Sequence, residues 1–252
     1  MTEVNDPSLW WKQAVVYQVY PRSFKDSRGE GLGQIAGVTE KIGYLKELGV
    51  DAIWLSPFYP SQLADGGYDV DDYRNVDPKL GTMDDFDALA KAAHADGIKI
   101  VVDIVPNHSS NLHEWFKAAL AAKPGSPERD RYIFRDGKGP NGDEPPTNWQ
   151  NHFGGPAWTR VPDGQWYLHM FTKEQPDWNW KNEDVRADFI KTLRFWLDHG
   201  ADGFRVDVAH GLAKDLDRDD LDDYVVWCTN DQPEDGSHPV IDRDEVHDIY
   251  NE

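Results

Sequence analysis

Two opposite charges, Arg205 and Asp207, lie two residues apart in the stretch from Gly203 to Gly211. Apolar residues alternate with them, which predicts a β-strand, and residues two apart in a strand point to the same side. A guanidinium beside a carboxylate keeps that carboxylate ionised, and an ionised carboxylate can act as a nucleophile in covalent catalysis. The same pair is also consistent with a structural ion pair at a strand end. The neighbouring elements must distinguish these two interpretations.

Three further residues that could do chemistry, Asp69, Asp103 and His108, follow other apolar runs of the chain. Each has an ordinary structural explanation: a turn residue, a hydrogen-bonding group at a strand end and a buried loop histidine, respectively. In a βα barrel, however, the carboxyl ends of the strands meet at one mouth, where active sites lie. Convergence of all these groups with Arg205 and Asp207 at one rim favours a functional site over separate structural roles.

The elements that would position these residues alternate between strands and helices. Apolar runs predict strands over 14–24, 51–58 and 98–105, with the 203–211 stretch as a fourth, and helical spacing predicts helices over 35–48, 82–97, 113–122 and 183–199. This order is typical of a parallel sheet with right-handed crossovers. The predicted fold class is α/β, the first four βα units of a (β/α)8 TIM-type barrel, which needs eight strands to close.

The regular alternation is interrupted between residues 109 and 180. This segment is rich in Pro, Gly and Asn, carries many aromatic residues and, at roughly seventy residues, is too long for an ordinary connection. We therefore predict an inserted subdomain over 109–180, and a barrel domain made of 1–108 and 181–252. Aromatic residues of the insert would form a wall of the site.

Composition limits the classes of partner. The net charge of −20 argues against nucleic acid and against an anionic membrane surface. The 11 Trp, 10 Tyr and 10 Phe residues suit a core or pockets for flat, partly apolar ligands such as sugar rings. The single Cys228 leaves no internal disulfide framework, and the absence of a signal peptide or a long apolar run predicts a cytoplasmic protein.

Several motifs, taken together, resemble the α-amylase family of glycoside hydrolases (family 13), and within it the α-glucosidase and oligo-1,6-glucosidase branch. The resemblance covers essentially the whole chain, in the order and spacing of that family. The matching stretches are Tyr17 to Phe24 (YQVYPRSF), Gly67-Tyr68-Asp69, Asp103 to His108 (DIVPNH), Gln175 to Trp180 (QPDWNW) and Gly203 to Asp207 (GFRVD).

The resemblance implies a role for individual residues. Asp207 matches the nucleophile that forms a β-glucosyl-enzyme intermediate in a retaining mechanism, and Arg205 would keep it ionised. His108 matches a histidine that hydrogen-bonds the sugar next to the scissile bond, and Asp69 an aspartate that grips the terminal glucose. The other substrate-binding residues that we assign are Tyr68, Asp103, Phe153 and Phe171. A closed pocket of this kind implies exo action, and Val208 after the nucleophile favours α-1,6 linkages.

Two departures from the family pattern qualify this expectation. The general acid of the family is a Glu after the fifth strand, which these 252 residues do not contain, so we expect the chain alone to be inactive and the remainder of the barrel to be its partner. The loop Asp26 to Gln34 matches one that holds Ca²⁺ or Mg²⁺ in many relatives, but Arg28 and Gln34 replace oxygen ligands. We therefore predict no bound metal and no cofactor, with Arg28 pairing with Asp26 or Glu30 in the place of a cation.

Two alternatives stay open. Relatives that isomerise or transfer sugars, such as trehalose synthase and sucrose isomerase, share these motifs and differ in whether water or a sugar accepts the glucosyl group. A non-catalytic sugar-binding subunit is a third reading, and the intact Asp207, Arg205 and His108 argue against it. In either enzymatic case the partner is a small oligosaccharide.

Overall fold

The structure, a computed structural model, describes residues 7–224 and 237–252. Its strands are β1 (Val16–Val19), β2 (Ala52–Leu55), β3 (Lys99–Ile104), β4 (Phe134–Asp136), β5 (Trp158–Arg160), β6 (Gln165–Leu168) and β7 (Gly203–Val206). Its α-helices are α1 (Pro21–Phe24), α2 (Ile35–Glu40), α3 (Ile42–Leu48), α4 (Met83–Ala95), α5 (Glu114–Ala121), α6 (Pro127–Asp130), α7 (Glu183–Asp198) and α8 (Glu245–Tyr250). Short 3₁₀ helices cover Pro7–Lys12 and Leu221–Asp223.

The chain divides into two compact units, and the first contains a parallel sheet. The described residues of this unit lie within Met1–Pro60, Arg74–Ile104 and Leu193–Arg205. The strand order is β1-β2-β3-β7, and β2 pairs in parallel with both β1 and β3. The central strands are almost wholly apolar because both faces are covered. Phe58, Tyr59, Phe86 and Trp196 form a buried aromatic cluster in this unit.

Helix α4 confirms the helix predicted over 82–97, with Thr82 as its N-cap. The Thr82 side chain accepts a hydrogen bond from the Asp85 backbone N–H, while the Asp85 carboxylate accepts one from the Thr82 N–H. This reciprocal pair satisfies two N–H groups that a helix leaves free at its first turn. Gly49 likewise ends α3 in the left-handed conformation, at φ 82°, where a glycine costs little.

Three sequence predictions need correction. The single helix predicted over 35–48 is two helices, because the backbone of Lys41 leaves helical geometry at φ −103° and ψ 6°. The apolar run predicted as a strand over 14–24 is a strand only from Val16 to Val19 and is followed by the helix α1, whose Arg22 pairs in the interior with Asp77 at 2.6 Å. Strand β7 ends at Val206, so Asp207 to His210 form a turn and not the continuation of the strand.

The second unit contains an antiparallel sheet of order β4-β6-β5. Its described residues lie within Ser61–Tyr73, Val105–Thr192 and Val206–Glu252. The apolar centre of this unit is a buried cluster that consists of Ile133, Trp149, Ala157, Trp158, Leu168, Met170 and Val240. The inserted subdomain predicted over 109–180 supplies the sheet and most of this cluster, but its boundaries stay a prediction. Cys228 lies outside the described residues.

None of the helices that the structure describes is long and apolar enough to cross a membrane.

Candidate active site

The loop after β3 is held by an antiparallel exchange of backbone hydrogen bonds with residues 174–178. The Trp178 N–H donates to the carbonyl of Asn107 at 3.0 Å, and the Ser109 N–H donates to that of Pro176 at 3.2 Å. The motifs DIVPNH and QPDWNW lie about seventy residues apart in sequence. Because a hydrogen bond forms only over a short distance, these bonds show that the two motifs lie side by side in the folded chain. This pairing places His108 opposite Asp177.

His108 is buried and contacts protein groups at both ring nitrogens. The Asn107 side-chain amide lies 3.1 Å from Nδ1, and the Tyr68 carbonyl oxygen lies 3.2 Å from Nε2. The Gln175 Nε2 atom also lies 2.9 Å from the Nε2 atom of the ring, and the ring of Phe171 packs at 5.0 Å. Burial lowers the pKa of His108, and the negative charges of Asp177 and Asp207 oppose this only in part. The imidazole is therefore neutral near pH 7.

Asp69 provides a buried carboxylate with one uncommitted oxygen. Its Oδ1 accepts a hydrogen bond from the Asp65 N–H at 3.1 Å, whereas Oδ2 has no hydrogen-bond partner among the described residues. The loop is fixed because the Gln175 amide donates to the Asp65 carboxylate at 3.0 Å. A buried acceptor without a donor is costly, and a ligand hydroxyl is a group that would satisfy it.

Asp207 begins a tight turn directly after β7 and is half-buried. The next residue, Val208, has φ 48°, a left-handed conformation that is strained for a β-branched side chain. Hydrogen bonds hold this turn in place: the Gly211 N–H donates to the Val208 carbonyl at 3.0 Å and the Tyr250 hydroxyl to the Ala209 carbonyl at 2.8 Å. The turn displays the Asp207 carboxylate in the same unit as His108, whose pKa responds to it.

Lys214 is a buried cation that the sequence interpretation missed. Its Nζ donates to Asn107 Oδ1 at 2.9 Å and to the Gly211 carbonyl at 2.7 Å, and lies 3.1 Å from Asp177 Oδ2. The contact with Asp177 is close enough for an ion pair but lies off the direction of a hydrogen bond. A single lysine in an acidic segment gives no sequence signal, because such residues are usually solvated. The apolar neighbours Leu212 and Ala213 are the sequence feature that indicates burial of Lys214.

Two of the predicted residues, Asp103 and Arg205, belong to the first unit and contact each other there. Asp103 is fully buried, and Arg205 Nη1 lies 3.2 Å from its Oδ2 atom. The indole N–H of Trp54 donates to the same oxygen at 2.9 Å, and the guanidinium lies over the Trp54 ring at 4.9 Å. Asp103 therefore acts as a hydrogen-bonding group at a strand end, as in the structural interpretation considered for it from the sequence. The pairing of Arg205 with Asp207 stays a prediction.

The predicted aromatic wall is present in part in the second unit. Phe171 is half-buried and contacts the rings of His108, His152 and Phe153 at 5.0, 4.6 and 6.1 Å. Phe153 is 61% exposed, which is high for a phenylalanine. An exposed aromatic ring beside polar side chains is suited to stack on the apolar face of a sugar. The structure thus places Tyr68, His108, Phe171 and Phe153 in one connected group, with Asp69 next to Tyr68 in sequence.

Comparison with known proteins identifies the family. The sequence model of a protein family, the alpha amylase catalytic domain, matches residues 18–250 of this chain. The chain belongs to the α-amylase family. Among curated relatives, this α-amylase-family chain is 50% identical over 214 residues to an oligo-1,6-glucosidase of Heyndrickxia coagulans, covering 84% of this chain and 38% of the relative. It is 49% identical over 207 residues to the trehalose-6-phosphate hydrolase of Escherichia coli K12, covering 82% of this chain and 37% of the relative.

Solved structures of α-amylase-family enzymes agree with the fold described above. The trehalose-6-phosphate hydrolase of Bacillus licheniformis superposes with a TM-score of 0.84 at 45% identity, covering 96% of this chain and 41% of that one. The trehalulose synthase of Pseudomonas mesoacidophila gives 0.78 at 49% identity, covering 83% and 37%. The predicted (β/α)8 class is confirmed, with a parallel sheet that is part of such a barrel. The chain spans about two fifths of the length of these relatives.

The loop from Asp26 to Gln34 differs from its predicted arrangement. The Asp26 carboxylate accepts hydrogen bonds from the backbone N–H groups of Arg28, Gly29 and Gly31 at 2.7–2.9 Å, which lower its pKa to about 2, Gly31 contributing most. The predicted ion pair of Arg28 with Asp26 or Glu30 is not found in the part of the chain described. Within residues 7–224 and 237–252, no group of three His, Cys, Asp or Glu side chains is placed to hold a metal ion; that no cation binds stays a prediction.

The buried histidines predict an acid-sensitive fold. Burial is the largest cause of the lowered pKa of His108, His152 and His169. The unfolded chain, in which histidine has a pKa of about 6.5, therefore binds more protons below that pH. We expect the free energy of unfolding to be fully developed above about pH 7 and to fall as the pH drops through 6.5 towards the folded-state pKa values.

Urea unfolding between pH 8 and pH 5 measures this slope. His169→Gln should flatten it, because that ring is buried and outside the proposed catalytic group. His247→Gln should leave it unchanged, because His247 is exposed. A free energy of unfolding that rises as the pH falls through 6.5 would contradict the prediction.

Proposed function

We propose that the full-length protein is a retaining, exo-acting α-glucosidase that removes terminal α-linked glucose from short oligosaccharides, with α-1,6 and/or α-1,4 linkages. The observation that carries the proposal is the shared identity of about 50% with oligo-1,6-glucosidases over a region that contains Asp207 and its surroundings. The buried position of Asp69, whose Oδ2 has no hydrogen-bond partner among the described residues, supports exo action. We also propose that it works in the cytoplasm.

In this mechanism Asp207 attacks the anomeric carbon as the glycosidic bond breaks. The product of the first step is a β-glucosyl ester on Asp207, and water then hydrolyses the ester so that the released glucose keeps the α configuration. The leaving oxygen receives its proton from a carboxylic acid that lies about 5–5.5 Å from the nucleophile in retaining enzymes. By family resemblance this acid is a Glu on a later strand of the full-length barrel.

The remaining residues bind and orient the sugar. Asp69 accepts hydrogen bonds from hydroxyls of the terminal glucose, and His108 contacts the same ring on the side of the scissile bond. Phe153, Phe171 and Tyr68 pack against the sugar faces. The ion pair with Asp103 fixes the position of Arg205. The positive charge of Arg205 stabilises the ionised form of the nucleophile, Asp207. Barrel residues 1–108 and 181–252 and the insert 109–180 would contribute jointly to this pocket.

The anomeric form of the first product tests the proposal. Incubation of the full-length protein with isomaltose and with maltose should release glucose. With p-nitrophenyl α-glucoside, from which the only sugar released is the transferred glucose, proton NMR in the first minutes should detect the α anomer before mutarotation. Release of the β anomer would contradict a retaining mechanism. The absence of glucose from both disaccharides would contradict the assignment of an α-glucosidase.

Asp69→Asn should weaken catalysis and stabilise the unliganded protein. The amide keeps the shape but loses the charged acceptor for sugar hydroxyls, so we expect kcat/KM for isomaltose to fall by roughly 10- to 200-fold, since a hydrogen bond to a charged group contributes about 1.5–3 kcal/mol in general. Removing a buried carboxylate oxygen that has no donor should raise the melting temperature. Steady-state kinetics and thermal melts measure both effects.

The matched control is Asp219→Asn, because Asp219 is exposed in the same unit; it should leave both quantities unchanged. A destabilised Asp69→Asn variant with full activity would assign Asp69 a purely structural role.

The second candidate is a sucrose-isomerising or otherwise transglycosylating enzyme. The observation in its favour is the 49% identity to a trehalulose synthase, a variant of which has been solved with its substrate sucrose. Chromatography of the products formed from sucrose separates the candidates: glucose and fructose indicate hydrolysis, whereas an isomeric disaccharide indicates glucosyl transfer within the site.

A further inference from the structure

One buried hydroxyl, that of Tyr73, contacts the main chain of the loop after β3 at two points. Its oxygen lies 2.5 Å from the carbonyl oxygen of His108 and 3.0 Å from that of Val105. The indole N–H of Trp178 donates to the same hydroxyl at 3.3 Å. Tyr73 is only 3% exposed, and no step of the proposed mechanism uses it. A single side-chain atom thus joins both ends of this loop to the segment that carries Trp178.

The hydroxyl of Tyr73 acts as the donor towards the two carbonyls. A phenol carries one hydrogen atom, which is directed at the closer carbonyl, that of His108, with the Val105 carbonyl as a longer second contact. Burial raises the pKa of Tyr73 far above its ordinary value, so the hydroxyl keeps this hydrogen near neutral pH. The indole N–H of Trp178 can only donate, and it therefore binds a lone pair of the hydroxyl oxygen. These contacts fix the direction of the hydroxyl hydrogen.

Tyr73 also belongs to the chain segment that carries Asp69. Within this segment, the carbonyl of Val70 accepts a hydrogen bond from the Ser110 N–H at 2.8 Å. The Val70 bond and the contact of Tyr73 with His108 therefore connect the segment after Asp69 to the His108 loop at two points. The Tyr73 hydroxyl lies where the motifs that contain Asp69, His108 and Trp178 meet.

We propose that Tyr73 is a positioning residue: through its hydroxyl it holds the main chain of His108 at the distance from Asp69 that the terminal glucose requires. Its effect on turnover rests on the proposed function, whereas its effect on the position of His108 does not. Phenylalanine at position 73 would pack in the same way but would remove this donor from both carbonyls. Because a buried carbonyl without a donor is costly, the main chain would shift towards other donors, and the His108 ring would move with it.

Crystal structures and steady-state kinetics of the full-length Tyr73→Phe variant test the proposal. We expect the His108 ring to be displaced relative to Asp69 by more than about 0.5 Å, the precision to which working sites are held. We also expect kcat for isomaltose to fall by about 10- to 100-fold with a smaller change in KM. The reason is that His108 is proposed to contact the sugar beside the scissile bond, where binding that is stronger in the transition state raises kcat.

The matched control is Tyr132→Phe. Tyr132 is also buried, but its hydroxyl lies 2.9 Å from the side-chain oxygen of Ser109 and not against the carbonyls that Tyr73 binds. We expect Tyr132→Phe to lower the melting temperature about as much as Tyr73→Phe does, with an unchanged kcat and with His108 in its parent position.

The outcomes separate a positioning role from a structural one. A Tyr73→Phe variant that keeps the position of His108 and the parent kcat would overturn the proposal, as would an equal loss of kcat in Tyr132→Phe. If Tyr73→Phe does not fold, 4-aminophenylalanine at position 73 decides, because its amino group keeps N–H donors for both carbonyls: His108 in its parent position supports the role, and a displaced His108 contradicts it. If the unmodified protein hydrolyses no α-glucoside, the proposed function fails while the position of His108 still decides the role of Tyr73.

Discussion

Asp207→Asn should reduce kcat for α-glucoside hydrolysis by on the order of 10⁴-fold, the loss typical when an enzyme is deprived of a covalent catalytic group. The amide has nearly the same size and can occupy the same turn, but it is not an anionic nucleophile. Substrate binding should change far less, because the groups proposed to bind the sugar, Asp69 and His108, are untouched. Steady-state kinetics with isomaltose and calorimetric binding of glucose measure the two effects separately.

A trapped intermediate gives the same prediction an independent readout. A fluorinated glucosyl fluoride that slows hydrolysis of the ester should label the unmodified protein with one sugar, and peptide mapping should locate it on Asp207. The Asp207→Asn variant should not be labelled, whereas Asp219→Asn should be labelled like the parent. Full hydrolysis by Asp207→Asn would exclude this carboxylate as the nucleophile and would favour a different catalytic group.

Lys214→Met should lower the free energy of unfolding by about 3–5 kcal/mol, the usual cost of leaving one member of a buried ion pair without its partner. The Asp177 carboxylate is fully buried. Among the described residues, the hydrogen bonds left to it would be that from the Met170 N–H, at 3.1 Å, and the longer one from Asn107. The double variant Lys214→Met/Asp177→Asn should recover much of this loss, because an amide is cheaper to bury than an unpaired carboxylate.

Urea unfolding of the parent, the single and the double variants measures the coupling between the two residues. Lys181→Met provides the comparison for an exposed ion pair, since Lys181 and Asp217 lie 3.3 Å apart at the surface; we expect its effect to be within about 0.5 kcal/mol. A loss below about 1 kcal/mol for Lys214→Met, or no recovery in the double variant, would show that Asp177 finds another partner.

Much of the parallel sheet could be predicted because its signals are local. Strand β3 lies within the predicted 98–105, and α4 begins directly after its N-cap Thr82, whose partner in the capping box, Asp85, is three residues away in sequence. The break at Lys41 had no such signal, because the apolar spacing on both sides of it continues a single helix. Local patterns therefore located the elements well and their interruptions poorly.

The candidate site shows the same division between local and distant information. Asp69, His108 and Asp207 could be named because each follows an apolar run or lies in a family motif. Lys214 could not, because its partners Asn107 and Asp177 are 107 and 37 positions away, and only the folded chain brings them together. The end of β7 was not predicted, because valine favours strands, whereas Val208 adopts a left-handed conformation at φ 48°.

The hydrogen bonds behind the Asp207 turn imply an order of events during synthesis. The Tyr250 hydroxyl that holds the Ala209 carbonyl lies 41 positions later, and the Asp242 N–H donates to the His210 carbonyl at 3.0 Å. A ribosome adds residues from the N-terminus onward, so β7 is complete well before the residues that clamp the turn behind it have been made. A nascent chain arrested between Val206 and Asp242 would carry the carboxylate without these two hydrogen bonds, and the turn would gain them only after residues 242–250 have been made.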